Sequence, residues 1–235
     1  MKTQVYQIRA ITNLHAGSGD ADYGIVDKLV QRDPTTGYPT IHMSGIKGAL
    51  REYFEENEIA GVTEMFGSEP KEQNKVQQGK LRFISAELLA FPRPSEQNGG
   101  QSAYDLCYVL QLLGEWLDKV KLFDTSPKID DATWKDIDLD TFKVLTEELP
   151  VIARNQLDNG ESKNLWYEEF VPRETIFGIV IQGENKLLDS FNDTVNGKVI
   201  QIGGNATVGY GYCLFTSIIK HGEIINSDFK GLVKE

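Results

Sequence analysis

Three clusters of residues in this sequence could do chemistry on a phosphodiester. The first opens at His15-Ala-Gly-Ser-Gly and runs through Asp20, Asp22 and Gly24 to Asp27, so that Gly17, Gly19 and Gly24 hinge an acidic loop. Asp27 stands between Val26 and Lys28, where an apolar run of Ile25, Val26, Leu29 and Val30 begins. A carboxylate there is either a solvated turn or strand-edge residue, or a group held at the mouth of a site. The second cluster is Ser44-Gly-Ile-Lys-Gly-Ala-Leu-Arg51. Ile46, Ala49, Leu50, Tyr53 and Phe54 recur at amphipathic-helix spacing, and Ser44 is placed to cap that helix. Lys47 and Arg51 are four residues apart and share its polar face, while Gly45 and Gly48 leave the first turn open. Such a helix start suits a phosphate, and it equally suits a solvated surface. The third cluster is Gln201-Ile-Gly-Gly-Asn-Ala-Thr-Val-Gly-Tyr-Gly211. It feeds a strand near the C-terminus, whereas a dinucleotide-binding glycine loop follows a first strand and opens a helix. What remains is a glycine-rich hairpin, or a loop in which Gly203, Gly204, Gly209 and Gly211 let backbone amides cradle a polyanion.

The elements that must position these clusters follow from periodicity. Val5 to Leu14 reads as a strand with Tyr6, Ile8, Ala10 and Leu14 on one face, and Lys80 to Phe91 as a second. A Pro/Ser/Gly-rich turn follows at Pro92 to Gly100; Tyr104 to Phe123 has helical spacing, and Asp124 to Thr146 is acidic with a second short helix. Glu174 to Gln182 is a core strand, Glu184 to Val195 a helix, and Cys213 to Ile219 the last strand. Strand, helix, strand, repeated, is the order of an α+β ferredoxin-like domain. Arg154 to Tyr167 leaves that order as an excursion, with turn chemistry at Asp158-Asn-Gly160. We therefore read residues 1–235 as one domain, with 101–148 a helical acidic insertion and 154–167 a hairpin.

Composition bounds the function. At 235 residues and 40% hydrophobic, the chain can bury one substantial core. The net charge of −11 counts against a polyanion binder, yet it is unevenly spread. Residues 101–150 hold eleven acidic and five basic side chains, whereas the first 52 hold five and six. Charge can thus segregate by face. Cys107 and Cys213 lie outside any CxxC spacing and in apolar surroundings, as expected of buried thiols in a reducing compartment. With three histidines and no Cys/His spacing, a structural zinc site is not expected. Neither a signal peptide nor a membrane-spanning run is present, so a cytoplasmic protein without membrane contact is expected.

Taken in order, the motifs resemble the RAMP superfamily of CRISPR systems, and within it the backbone subunit of Cmr-type (type III-B) effector complexes. The resemblance rests on His15-x-Gly-x-Gly, Gly24-Ile-Val-Asp27, Gln31-Arg-Asp33 and Ser44-Gly-Ile-Lys-Gly-Ala-Leu-Arg51; on Leu149-Pro-Val-Ile-Ala-Arg-Asn155, Asn164-Leu-Trp-Tyr-Glu-Glu169 and Pro172-Arg-Glu174; and on Ile202-Gly-Gly-Asn-Ala-Thr-Val-Gly-Tyr-Gly211. These blocks cover most of the chain. Two features depart from the family pattern: Ser44-Gly45 replaces the usual Ser-Ser, and the chain is short.

The resemblance implies a modified RNA-recognition-motif core of ferredoxin-like type with a protruding thumb hairpin. Copies would stack along a guide CRISPR RNA with other Cmr-type subunits. Each copy would grip guide backbone through Ser44, Gly45, Lys47, Gly48, Arg51, Arg154 and the glycines of the third cluster. Base pairing would select a single-stranded target RNA. The thumb would wedge into the guide–target duplex at regular intervals, and target would be cut beside it. Asp27 is the position the family ties to cleavage, with a divalent cation, Mg or Mn; His15 and Glu168 would assist. Two other RAMP roles fit the same fold: a filament subunit that grips RNA without cutting, which need not carry Asp27, and a stand-alone endoribonuclease that processes precursor guide RNA. Asn155 and the Trp166-Tyr-Glu-Glu block favour the backbone subunit over the latter.

Overall fold

The computed structural model describes residues 1–19, 25–68, 76–95 and 103–219. Asp20, Asp22 and Gly24 of the acidic loop lie outside the described residues, as does the end of the Pro/Ser/Gly-rich turn. Strand β1 (Lys2–Ala10) is followed by helices α1 (Met43–Glu56) and α2 (Val62–Phe66), then strand β2 (Arg82–Pro94). Next come β3 (Tyr104–Tyr108), α3 (Leu110–Lys121), β4 (Lys135–Asp136) and α4 (Leu139–Glu147). The hairpin strands β5 (Val151–Asp158) and β6 (Glu161–Glu169) precede β7 (Ile176–Gly183), α5 (Asn185–Val195), β8 (Val199–Gln201), a short 3-10 turn (Ala206–Val208) and β9 (Tyr212–Ser217).

Seven strands form one sheet in the order β4-β3-β2-β7-β1-β9-β8, while β5 and β6 form a separate two-stranded sheet. At its centre β7 runs antiparallel to both neighbours, with Val5 opposite Val180 and Ala86 opposite Ile179. Its sequence, Ile-Phe-Gly-Ile-Val-Ile, is an almost unbroken apolar run because both faces are covered. Phe177, Ile179 and Ile181 join Tyr6, Ile8 and Ala10 of β1 beneath α1 and α5. Ile176, Val180 and Val5 face the other way, onto Leu113, Trp116 and Val120 of α3. On the first face a cluster of rings ties the elements together: Phe191 of α5 stacks on Phe54 of α1 at 5.6 Å and meets Tyr6 of β1 edge-on at 5.9 Å.

Two sequence expectations are corrected. The helical pattern assigned from Tyr104 begins only at Leu110; Tyr104–Tyr108 is a strand, paired with β2 from Phe91↔Cys107 to Pro94↔Tyr104. The segment 101–148 is therefore mixed and extends the sheet, as well as adding helices. Correspondingly, β2 runs through Pro92 and Pro94, where a turn was expected. Its pairing with β7 ends at Ala90, so the proline nitrogens face a side on which no strand among the described residues needs a donor. The first strand also ends early, at Ala10; Leu14 makes a separate bridge to Val171. Both thiols are buried, and burial pushes Cys213 up to about 12. No helix among the described residues is long and apolar enough to cross a membrane.

Candidate active site

The first and third clusters meet at the base of the β5–β6 hairpin. After β1 the chain runs antiparallel to itself: Gly17 bridges Val30, and Gln31 N–H donates to the Ala16 carbonyl at 2.8 Å. This returning limb then lies along β6. Lys28 forms a parallel bridge with Glu168, and Glu169 N–H donates to the Lys28 carbonyl at 2.9 Å. Asp27 is pinned twice to one residue, since its N–H donates to the Tyr167 carbonyl at 3.0 Å and its Oδ2 accepts from Tyr167 N–H at 2.7 Å. The carboxylate is exposed, with one oxygen committed and the other available.

Glu168, by contrast, is wholly buried. Its Oε1 accepts from Asn205 Nδ2 and lies 3.8 Å from His15 Nδ1. Its Oε2 accepts from the Trp166 indole at 3.4 Å, and lies 3.5 Å from Arg154 Nε and 3.9 Å from Lys28 Nζ. Hydrogen-bond donors and cationic side chains thus take the place of water around this buried carboxyl group. Those partners come from the first loop, from β5, from β6 and from the glycine loop, so one side chain fastens all the parts of the site. The neighbouring Glu169 does the same on the other face of β6: its carboxylate accepts from Val30 N–H at 3.0 Å and from Arg32 at 2.9 Å.

His15 Nδ1 lies 2.7 Å from the Glu169 carbonyl, which can only accept, so Nδ1 carries a proton and Nε2 points at Gly17. A Cβ at Gly17 would stand 3.0 Å from that nitrogen. The histidine is buried and held by the main chain.

The glycine loop is used differently from the sequence expectation. Gly204 N–H donates to the His15 carbonyl at 2.9 Å and Gly211 N–H to the Asn13 carbonyl at 2.8 Å, so these two amides are spent within the protein and cannot cradle an anion. Gly203 and Gly211 both have φ near +80°, and a Cβ would lie 2.4 Å from the His15 carbonyl oxygen or 2.0 Å from that of Ile202. Their glycines serve close packing of loop on loop. Gly209 has open space around it.

At α1 the cap is His42 and not Ser44, because the helix starts one residue before Ser44; no side chain caps it. Gly45 and Gly48 are exposed, and a Cβ on either would meet nothing within 4 Å. Gln31 ties this helix start to the site, donating to the Gly17 carbonyl at 2.9 Å and accepting from His42 N–H at 2.6 Å. Arg51 is already engaged by Glu55 at 2.7 Å and by the Gly67 carbonyl at 3.0 Å. Arg154 is likewise turned inward: its guanidinium stacks on Tyr210 at 4.7 Å and its charge answers Glu168. Lys47 makes no ion pair among the described residues.

Sequence reasoning did not nominate Lys28, Trp166 or Asn205. Lys28 Nζ lies 4.9 Å from the centre of the Trp166 ring, with half of the side chain exposed. Its signal was adjacency to Asp27 inside an otherwise apolar run. For a divalent ion the fit is poor: the described residues gather no group of three or more His, Cys, Asp or Glu that could hold one, and every neighbour of Glu168 is a donor or a cation.

The topology is that of an α+β domain whose candidate site lies on loops beside a separate two-stranded hairpin. The model of the RAMP superfamily matches residues 7–214, and the chain belongs to that superfamily. It is 26% identical, over an alignment of 293 positions covering 92% of this chain and 96% of the relative, to the CRISPR system Cmr endoribonuclease Cmr4 of Pyrococcus furiosus. The alignment exceeds the 235 residues here, so this chain lacks segments that the relative carries. Over a shorter stretch, 48% of this chain and 36% of the relative, it is 36% identical to the CRISPR system CMR subunit Cmr4 of Saccharolobus solfataricus. Among solved structures, the type III-B Cmr-beta complex bound to cognate target RNA contains a chain matched with a TM-score of 0.74 at 20% identity, covering 92% of this chain and 97% of that one. Oligomeric Cmr4 from Pyrococcus furiosus matches with a TM-score of 0.68 at 20% identity, covering 92% and 98%.

Proposed function

We infer that this protein is a repeating backbone subunit of a type III-B CRISPR effector complex, which binds guide RNA along its length and cleaves complementary target RNA as an endoribonuclease. The observation that carries the reading is Asp27: an exposed carboxylate, fixed through its own main chain and side chain to the base of a hairpin that forms a sheet of its own. A subunit that only gripped RNA would have no need to hold a carboxylate so firmly in the open. The stand-alone endoribonuclease is disfavoured because the relative and the structures named above match along nearly the whole chain.

The core reads as ferredoxin-like, supported by the succession β9-β1-β7-β2, with α1 between β1 and β2 and α5 between β7 and β9. The β5–β6 hairpin is the thumb in this reading. Its tip is a two-residue Asn159-Gly160 turn with φ of 51° and 86°, the twist that keeps paired strands straight and projecting. The exposed start of α1, with Gly45, Gly48 and Lys47, takes guide phosphates, and copies repeat by a head-to-tail contact that does not close. A cytoplasmic location goes with this role.

Cleavage needs a target 2′-hydroxyl brought in line with its own phosphate. Positioning of that kind can supply much of the rate. The available Asp27 oxygen orients the hydroxyl, and His15, Glu168 and Glu169 keep the first loop and β6 in one arrangement. For a divalent ion, Mg or Mn, to act at Asp27, RNA phosphates would have to complete its coordination, since the described residues gather no ligand cluster there.

The test is Asp27→Ala in the assembled complex. Cleavage of bound target should fall by at least about 1,000-fold, with guide and target binding changed by less than about threefold. Cutting at the wild-type rate would overturn the assignment.

A further inference from the structure

Among the described residues the site has a fixed carboxylate and no cluster of ligands for an ion, and attack on a phosphodiester builds negative charge on phosphorus oxygens that something positive must meet. The arrangement around Glu168 contains a cation to spare. Arg154 lies nearest to the buried carboxylate at 3.5 Å and is itself largely buried, so it balances that charge. Lys28 lies further off, at 3.9 Å, and half of its side chain remains in solvent. Its ammonium is steered by the Trp166 ring at 4.9 Å, and a cation over an indole is held without being neutralised. Main-chain bonds to Tyr167 and Glu169 fix the backbone on either side of it. Lys28 forms a parallel bridge with Glu168 directly after the bend at Asp27, so the two side chains issue from consecutive residues of the returning limb. An RNA strand crossing that limb meets both a carboxylate and an ammonium.

We propose that Lys28 is a catalytic residue of this protein, its ammonium contacting the scissile phosphate of target RNA. The proposal rests on the cleavage reading given above. In the step it serves, the target 2′-oxygen forms a bond to phosphorus and the bond from phosphorus to the 5′-oxygen breaks. The 2′-hydroxyl, oriented by Asp27, gives its proton to water, and the departing 5′-oxygen takes one from solvent. The products are a 2′,3′-cyclic phosphate and a 5′-hydroxyl, with no redox change. Lys28 stabilises the phosphorane's added charge, while Trp166 and Glu168 are positioning residues that aim it.

The assembled complex, loaded with guide and saturated with target, provides the test through single-turnover cleavage. Lys28→Ala should slow the cut by about 100- to 1,000-fold while target affinity changes by less than about threefold. Lys28→Arg should retain a rate within about tenfold of wild type, and Lys28→Gln, which keeps the length and loses the charge, should resemble the alanine variant. Added ethylammonium should restore part of the Lys28→Ala rate and none of the Asp27→Ala rate. Wild-type cutting by Lys28→Ala and Lys28→Gln at saturation would overturn the proposal, as would a loss wholly recovered by raising target concentration, which marks a binding lysine. Asp27→Ala run alongside separates the two levels. If it too cuts normally, the cleavage reading of this site has failed; if it is dead and Lys28→Ala is not, only the role of Lys28 falls.

Discussion

The sheet and the hairpin base are both well ordered by contacts, but of opposite kinds. Around Phe191 the contacts are apolar, many and interchangeable: Phe54, Phe66, Phe83 and Tyr6 all touch the same ring from different elements. Around Glu168 they are polar, few and directional, and each comes from a different segment of chain. A packed core loses stability by degrees when one ring is trimmed. A polar junction loses a geometry when one oxygen is removed, because the remaining donors are left buried without partners.

The two regions should therefore fail differently. Phe191→Ala should destabilise the whole domain by about 3–5 kcal/mol, seen as an earlier denaturant midpoint with one cooperative transition. Cleavage by assembled complexes at permissive temperature should stay close to wild type. If instead the variant unfolds in two steps, the sheet and the hairpin base are not one cooperative unit.

Glu168→Gln should show the reverse. Its global midpoint should move less than that of Phe191→Ala, since shape is kept and Asn205 can still be bonded. Hydrogen exchange at the base of the hairpin and in the glycine loop should quicken, and single-turnover cleavage should drop by about tenfold or more through misaimed Lys28. Exchange that quickens evenly across the sheet would show Glu168 to be an ordinary core residue.

The smallest effect sharpens the comparison at the surface. Lys47→Ala should reduce the slope of log affinity for guide RNA against log salt by about 0.7, the value for one contact with a single-stranded phosphate. Arg51→Ala should leave that slope unchanged and lower stability slightly, because its guanidinium is occupied by Glu55 and Gly67. Equal slopes for the two variants would mean that helix α1 offers its cations alike.

Much of this was legible in the chain. The apolar alternation of β1, the continuous run of β7 and the stripe of α5 report local periods, and local periods survive in sequence because burial is decided residue by residue. Motif order singled out Asp27, His15 and Glu168, and the structure brings them to one place, with Asp27 bonded to Tyr167 beside Glu168 and His15 Nδ1 3.8 Å from the Glu168 carboxylate. The strand Tyr104–Tyr108 was hidden: the apolar residues that follow it carry a helical period, and the partner that makes it a strand, the proline-bearing end of β2, has the composition of a turn.

The sequence by itself determined β7, α5 and the Asn159-Gly160 turn, since each depends on a side chain and its near neighbours. Only the tertiary structure decided that Gly203 and Gly211 pack against protein carbonyls, that Arg51 and Arg154 are engaged within the protein, and that Lys28 keeps half of its side chain in solvent. Which charges are paired and which amides are spoken for is a property of distances between segments as far apart as residues 15, 168 and 205. No spacing along the chain encodes it.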